Sequence, residues 1–454
     1  MVWADVPGIH IRLTLLNLSP LLRGFLQHVA DPVVRLLAIQ LATKILIPAH
    51  ETISYWLPVL HAIAHDHRLT NDVLLFLSSA LDEQPGCYPD LIAFVVKRTT
   101  YELPKQGHAR AWSPHTAAPS EEGPLNELPT PAKLGMDLAL ESKLAGLQLI
   151  EQFLHDDTAR SLVLSSGYID FCVGHLTFSP AGGFDQGWPT RGLKAIQATA
   201  LVHLATIFSA GDLFEEVANL ACDPVLVTYL REALAADNGI ADRPNTVNLV
   251  AGCVPRFLHL VRTMCTYGAD VQTKLGAQGL VHECMSLISS RAPAGGNVGT
   301  SESTRQLACV ALAALCEGAC EPNQLLVASI PSAVYTLAQL IPWSSAHPPT
   351  QLKMRIAVLD ALWSVVTECH LNEESFLEAG GIFKLFALIA DPGVERNVMA
   401  HALALILEML ENPKTRQHVV TWSNASYASA PALLLSIWRR ENCTISLLFI
   451  LCPY

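Results

Sequence analysis

A short phrase recurs along this 454-residue chain and limits what it can fold into. It reads Asn372-Glu-Glu-Ser-Phe-Leu-Glu-Ala-Gly380-Gly381-Ile382-Phe-Lys-Leu385: a helix end, a small-residue corner, then a new run with Leu every third or fourth residue. Val271-Gln-Thr-Lys-Leu275-Gly-Ala-Gln-Gly279-Leu280 and Leu162-Val-Leu-Ser-Ser-Gly167-Tyr-Ile169 repeat it. Weaker copies place Pro224, Pro331 and Pro431 at or beside the corner. Taken at 167, 224, 279, 331, 381 and 431, the corners lie 57, 55, 52, 50 and 50 residues apart. A near-constant period means stacked units, each unable to bury its apolar face alone.

Between corners the periodicity is helical. Leu140, Leu144, Leu147, Ile150 and Leu154 form one stripe, as do Ile356, Leu359, Trp363 and Val366, and Met399, Leu403, Ile406 and Leu410. Alternating strands with hairpin turns are not evident. The expected class is all-α: an armadillo/HEAT-like α-solenoid, whose usual units of ~40–47 residues are lengthened here by loops. The Gly/Pro/Ser-rich stretches 179–192 and 289–301 supply those loops. Glycine reaches φ > 0 cheaply at a helix C-terminus, and proline is tolerated in the first turn of the next helix. The predicted structural hinges are therefore Gly167, Pro224, Gly279, Pro331, Gly380, Gly381 and Pro431. The expected organisation is degenerate or capping helical repeats over 1–101, a Pro-rich flexible linker over 102–135, armadillo-like repeats over 136–442 and an apolar tail over 443–454.

The chain carries 29 basic and 41 acidic side chains, a net charge of −12. That argues against nucleic acid, which needs clustered Lys and Arg. Its 51% hydrophobic content excludes wholesale disorder. The twelve cysteines are scattered singly in apolar runs, without a CxxC pair, and read as reduced thiols of a cytosolic core. The N-terminus lacks the basic and apolar regions of a signal peptide. The apolar runs are too short or too interrupted to reach the ~20 residues of a membrane span.

Phosphate-loop, dinucleotide-binding and nucleophile-elbow motifs are missing. His61 and His65 have i, i+4 metal spacing, but Ala62 replaces the general-base glutamate of HExxH and no third ligand is evident. Cys316 and Cys320, read as i, i+4 on one helix, fit a metal or redox pair less well than buried structural thiols. Glu373-Glu374 suits the positive end of a helix dipole. The sequence thus predicts no catalytic, cofactor-binding or metal-binding residue. The Trp-x-x-x-Asn ladder of armadillo nuclear-import receptors is not repeated here: Trp363 is followed four places on by Thr367 and Trp56 by Leu60, and only Trp438 by Asn442.

One stretch is more specific. Leu410-Glu-Asn-Pro-Lys-Thr-Arg-Gln-His-Val-Val-Thr-Trp422, with Ala430-Pro-Ala-Leu-Leu-Leu-Ser-Ile-Trp438-Arg-Arg-Glu441 and the Asn372–Phe383 phrase, resembles the cilia- and flagella-associated protein 69 family. These motifs cover roughly 363–441. The resemblance implies an armadillo-type structural protein of the motile axoneme, associated with the central-pair apparatus, sperm flagellum assembly and olfactory cilia. Its implied partners are other axonemal proteins, and its implied location is the cytoplasm and the axoneme. After Asn442 the sequence departs from the charged helical region of that family, so a shortened form is expected. Three readings follow: a non-enzymatic axonemal scaffold, a cytosolic armadillo/HEAT adaptor in trafficking or signalling, and, least supported, an enzyme using His61 and His65.

Overall fold

The structure is a computed structural model. It describes residues 19–28, 32–44, 131–176, 190–210, 213–239, 253–290, 302–341 and 352–451, with isolated positions at 92, 95, 96 and 99. Among the described residues there are twenty helices and no strand, so the chain is all-α. Contacts divide it into two units, 1–211 and 212–454. The His61/His65 pair, most of the Pro-rich stretch and most of both Gly/Pro/Ser-rich loops lie outside the described residues.

The first unit holds α1 (Ser19–His28), α2 (Pro32–Lys44), α3 (Pro131–Leu154), α4 (Asp157–Ser165), α5 (Tyr168–Leu176) and α6 (Thr190–Ser209). The helix α3 opens at Pro131, inside the stretch expected to be a linker. Its stripe residues Leu147, Ile150 and Leu154 are buried. Asp156 caps α4, its carboxylate accepting from the Ala159 N–H at 2.8 Å. The helices α3, α5 and α6 close around Tyr168, Phe208 and Leu201, all buried.

The second unit is periodic. It opens with α7 (Phe214–Cys222) and α8 (Val225–Gly239). Four three-helix repeats follow. They are α9 (Cys253–Cys265), α10 (Ala269–Ala277), α11 (Leu280–Ser289); α12 (Glu302–Cys316), α13 (Glu321–Ser329), α14 (Ala333–Gln339); α15 (Leu352–Val366), α16 (His370–Glu378), α17 (Gly381–Ala390); and α18 (Arg396–Glu411), α19 (Pro413–Val420), α20 (Ala430–Leu451). The long first helices pack side by side in the order α9, α12, α15, α18. The short second helices form another row, α7, α10, α13, α16. The core between rows is Leu, Val, Ala and Cys, including Leu312, Leu315, Leu362, Val365 and Leu385. No described helix is long and apolar enough to cross a membrane.

One stripe residue points elsewhere. Trp363, placed by periodicity with Ile356, Leu359 and Val366, is 39% exposed, while its neighbour Leu362 is fully buried. The helix α15 packs against α12 and α18 on two sides, so its core face is wider than a single stripe and Trp363 is left on the open face.

Candidate functional site

The corners set the angles between helices. Gly167 between α4 and α5, Gly279 at the N-terminus of α11 and Gly380 at the N-terminus of α17 have φ of 76°, 101° and 69°, in the left-handed region. Gly381 is constrained differently: a Cβ there would lie 2.2 Å from the Phe376 ring. Between α13 and α14 the left-handed residue is Ser332, with φ of 60°, one place after Pro331. Pro224 stands between α7 and α8, where Asp223 accepts from the Val225 N–H at 2.9 Å. Pro431 lies in the first turn of α20.

A ladder of buried amides ties the repeats of the second unit together. Asn323 on α13 donates its Nδ2 to the Gln272 carbonyl at 2.8 Å and the Leu315 carbonyl at 2.7 Å. One repeat on, Asn372 on α16 donates to the carbonyls of Gln324 and Val365, both at 2.9 Å. The following residue reaches forward instead. Gln272 donates to the Ala314 carbonyl at 3.0 Å, and Gln324 to Ser364 and Thr367 at 2.9 and 2.7 Å. The ladder ends on Glu373, which accepts from Asn412, and on Thr415, which donates to the Met409 carbonyl. The bonds to Ala314, Leu315, Ser364, Val365 and Met409 satisfy carbonyls of a last helical turn, which lack intrahelical partners, while those to Gln272 and Gln324 reach mid-helix carbonyls of the preceding repeat. They also fix the register between repeats. The approach is close: a Cβ on Gly276 would fall 1.8 Å from Asn323 Oδ1.

The ladder makes residues of successive long helices equivalent. Ala314 and Ser364 receive the same bond, so Ala313 and Trp363 occupy one position in neighbouring repeats. Both line a cavity of about 660 Å³ on the open face of α9, α12 and α15. Val310, Ala313, Ala314 and the Gly318–Ala319 corner leave the space, and Trp363 walls it. Its charged lining is Arg262, Glu317, Asp360 and Glu368. Asp360 meets His401 Nε2 at 3.3 Å. Burial pushes the Asp360 carboxyl up, against the opposing pull of His401 and Arg262. Thr367, four residues after Trp363, also lines the cavity, so this Trp-Thr pair stands on the open face.

Cys316 and Cys320 are not on one helix. Cys316 ends α12 and Cys320 precedes α13, separated by the left-handed Gly318 and Ala319. Both thiols are buried, and burial drives Cys316 well above the ordinary thiol range, the opposite of what a reactive thiolate requires. Burial likewise pushes Cys284 and Cys309 up to about 12. Among the described residues no three His, Cys, Asp or Glu side chains are grouped to hold a metal.

The ladder and the four three-helix repeats coincide with a match to a known family. Its description is cilia- and flagella-associated protein 69, ARM repeat, and it covers residues 250–447. Residues 250–447 are thus similar to the ARM-repeat region of the cilia- and flagella-associated protein 69 family. Cilia- and flagella-associated protein 69 of Homo sapiens is 34% identical over 86 residues, 19% of this chain and 9% of the human protein. That of Mus musculus is 33% identical over the same length. The match thus spans about a tenth of these relatives. Among solved structures, an engineered protein aligns with 91% of this chain and 98% of its own, at 11% identity and a TM-score of 0.43. A chain solved in work on a phosphorylation switch between cadherin and beta-catenin aligns with 94% of this chain and 77% of its own, at 14% identity and a TM-score of 0.38.

Proposed function

We propose that this chain is a non-enzymatic, protein-binding scaffold of the motile cilium or flagellum. The observation that carries this reading is the family match over 250–447, which takes in the four repeats up to the last turn of α20. A rigid stack of repeats offers a long, pre-ordered face, so a partner binds without first ordering the receptor. Mechanism here means holding other proteins at fixed spacing.

Within that reading, the chain belongs to the axoneme, at the central-pair apparatus, and contributes to flagellum assembly. Its partners are other axonemal proteins. The net charge of −12 disfavours direct docking on acidic polymers and favours contact through basic or neutral protein surfaces.

The test is a tagged copy expressed in ciliated and non-ciliated cells, followed by detergent extraction. Retention on demembranated axonemes is the expected result. A diffuse, fully extractable signal in ciliated cells would reject the axonemal reading and favour a cytosolic adaptor.

A further inference from the structure

Helix C-termini expose unpaired carbonyls and the negative end of the helix dipole, so cationic side chains belong there. The first repeat of the ARM region obeys this: α9 carries Arg262 in its last turn. The next two do the reverse. Neither α12 nor α15 has a basic residue in its last turn. An acidic residue follows each instead, Glu317 after α12 and Glu368 after α15.

These helix ends converge on the cavity walled by Trp363. Among the described residues its lining sets three carboxylates, Glu317, Asp360 and Glu368, and two helix C-termini against one lining cation, Arg262, with His401 reaching Asp360 from outside the lining. Beside it, burial and the like charges of Glu411, Glu368 and Glu373 raise the Glu408 carboxyl. Glu368 also keeps a left-handed φ of 61°, a conformation that crowds the Cβ of an L-residue. Among the described residues the lining carries more carboxylates than cations. It also offers a half-open indole face and a space within the ~300–1,000 Å³ typical of ligand pockets.

We propose that this cavity receives an arginine or lysine side chain from a basic segment of a protein partner. Its aliphatic stem lies against Trp363 and Ala313, and its cation sits among Glu317, Asp360 and Glu368. An aromatic face attracts a cation, and long basic side chains pack their stems on apolar surface while the charge stays at the polar end. The inference rests on the scaffold reading, since it names the partner chemistry of that open face.

The test uses the full chain and a fluorescein-labelled hexa-arginine peptide, with the uncharged isostere hexa-citrulline as control. Fluorescence anisotropy is read at two salt concentrations. Hexa-arginine is expected to bind at least tenfold more tightly than hexa-citrulline. Glu317→Gln combined with Glu368→Gln should weaken it fivefold or more, and Trp363→Ala about threefold. Removing the same charge from the exposed Glu215 and Glu216 of α7, by Glu215→Gln with Glu216→Gln, should change it less than twofold. Equal weakening by both pairs would overturn the site and leave only bulk attraction to an acidic protein. Equal binding of the citrulline peptide would also overturn it. Helical circular dichroism checks that each variant folds. The outcomes separate from the scaffold reading, because axonemal retention of the wild-type chain can fail while the peptide binds, and the peptide can fail while retention holds.

Discussion

The two units bury polar groups in different ways. The first buries imidazoles. His203 is fully buried with its Nδ1 2.7 Å from the Tyr168 hydroxyl, and His175 lies tilted against the Phe171 ring with its Nδ1 at the Phe171 carbonyl. The second has no buried histidine among its described residues. It buries Asn323, Gln324 and Asn372, which donate to backbone carbonyls and do not titrate. Amides provide fixed donors wherever a repeat must register on its neighbour. Imidazoles provide them only while neutral.

The largest consequence is a response to acid of opposite sign in the two units. Burial lowers His203 from 6.5 to about 4. Burial, and then the charge of Lys143, lowers His175 to about 4. Between those values the unfolded chain binds protons that the folded unit refuses. Stability is therefore full above pH 6.5 and is lost as pH falls towards 4, by up to about 3 kcal/mol for each imidazole at roughly 1.4 kcal/mol per pH unit. In the second unit the Asp360 and Glu408 carboxyls are raised, chiefly by burial, so their folded forms take up protons more readily and acid favours them. Hydrogen exchange, corrected for intrinsic rates, should show protection over 157–176 and 190–209 falling from pH 6.5 to 4.5 while 302–341 and 352–366 hold. His203→Gln should flatten the first response by about half. Parallel loss in both units would break the comparison.

The amide ladder can be probed in the same terms. Asn372→Leu keeps the volume but removes both donors, leaving the Gln324 and Val365 carbonyls buried without them. The expected cost is about 2 kcal/mol, moderated because Asn372 Oδ1 is itself without a partner. Gln197, which donates to the His175 carbonyl at 3.0 Å, is the counterpart in the first unit. It spans one helix pair and not a repeat interface, so Gln197→Leu should cost about half as much. Urea titrations of the two variants, followed by exchange in each unit, would rank them. A larger effect of Gln197→Leu would mean that the ladder does not set the register.

How far these features could be read from sequence depended on whether the chemistry was local. The glycine corners were legible because φ > 0 near a helix end selects glycine at that residue. Ser332 was not, because Pro331 marked the corner and the strained position lies one place later. The ladder left a signal that periodicity did not use: Cys320-Glu-Pro-Asn323-Gln324 recurs as Cys369-His-Leu-Asn372-Glu373. A hydrophobic-stripe argument counts such amides as solvent-facing, whereas here they are buried because helix-end carbonyls need donors. The spacing of Cys316 and Cys320 suggested one helix, but Gly318 and Ala319 break it. The cavity was illegible for a different reason. It depends on Ala313 being small where the next repeat has Trp363, and that equivalence emerges only once the ladder aligns the repeats.

The smallest effect tests what the units share. Both turn on a left-handed corner, Gly167 in the first and Gly279, Ser332 and Gly380 in the second. At three of these a glycine meets the requirement without steric cost; at Ser332, with φ of 60°, a Cβ crowds the backbone. Ser332→Gly should relieve roughly 1–2 kcal/mol of that crowding. It should also return about 0.4–1 kcal/mol to the unfolded chain as backbone freedom. The net expectation is a stabilisation of roughly 0–1.6 kcal/mol, seen as a small rise in the urea midpoint without a change in slope. Gly279→Ala, at φ of 101°, runs the same comparison backwards and should lower the midpoint. A fall on Ser332→Gly would show that the serine side chain stabilises the corner by more than its backbone strain costs. The corners would then differ in kind, as the two interiors do.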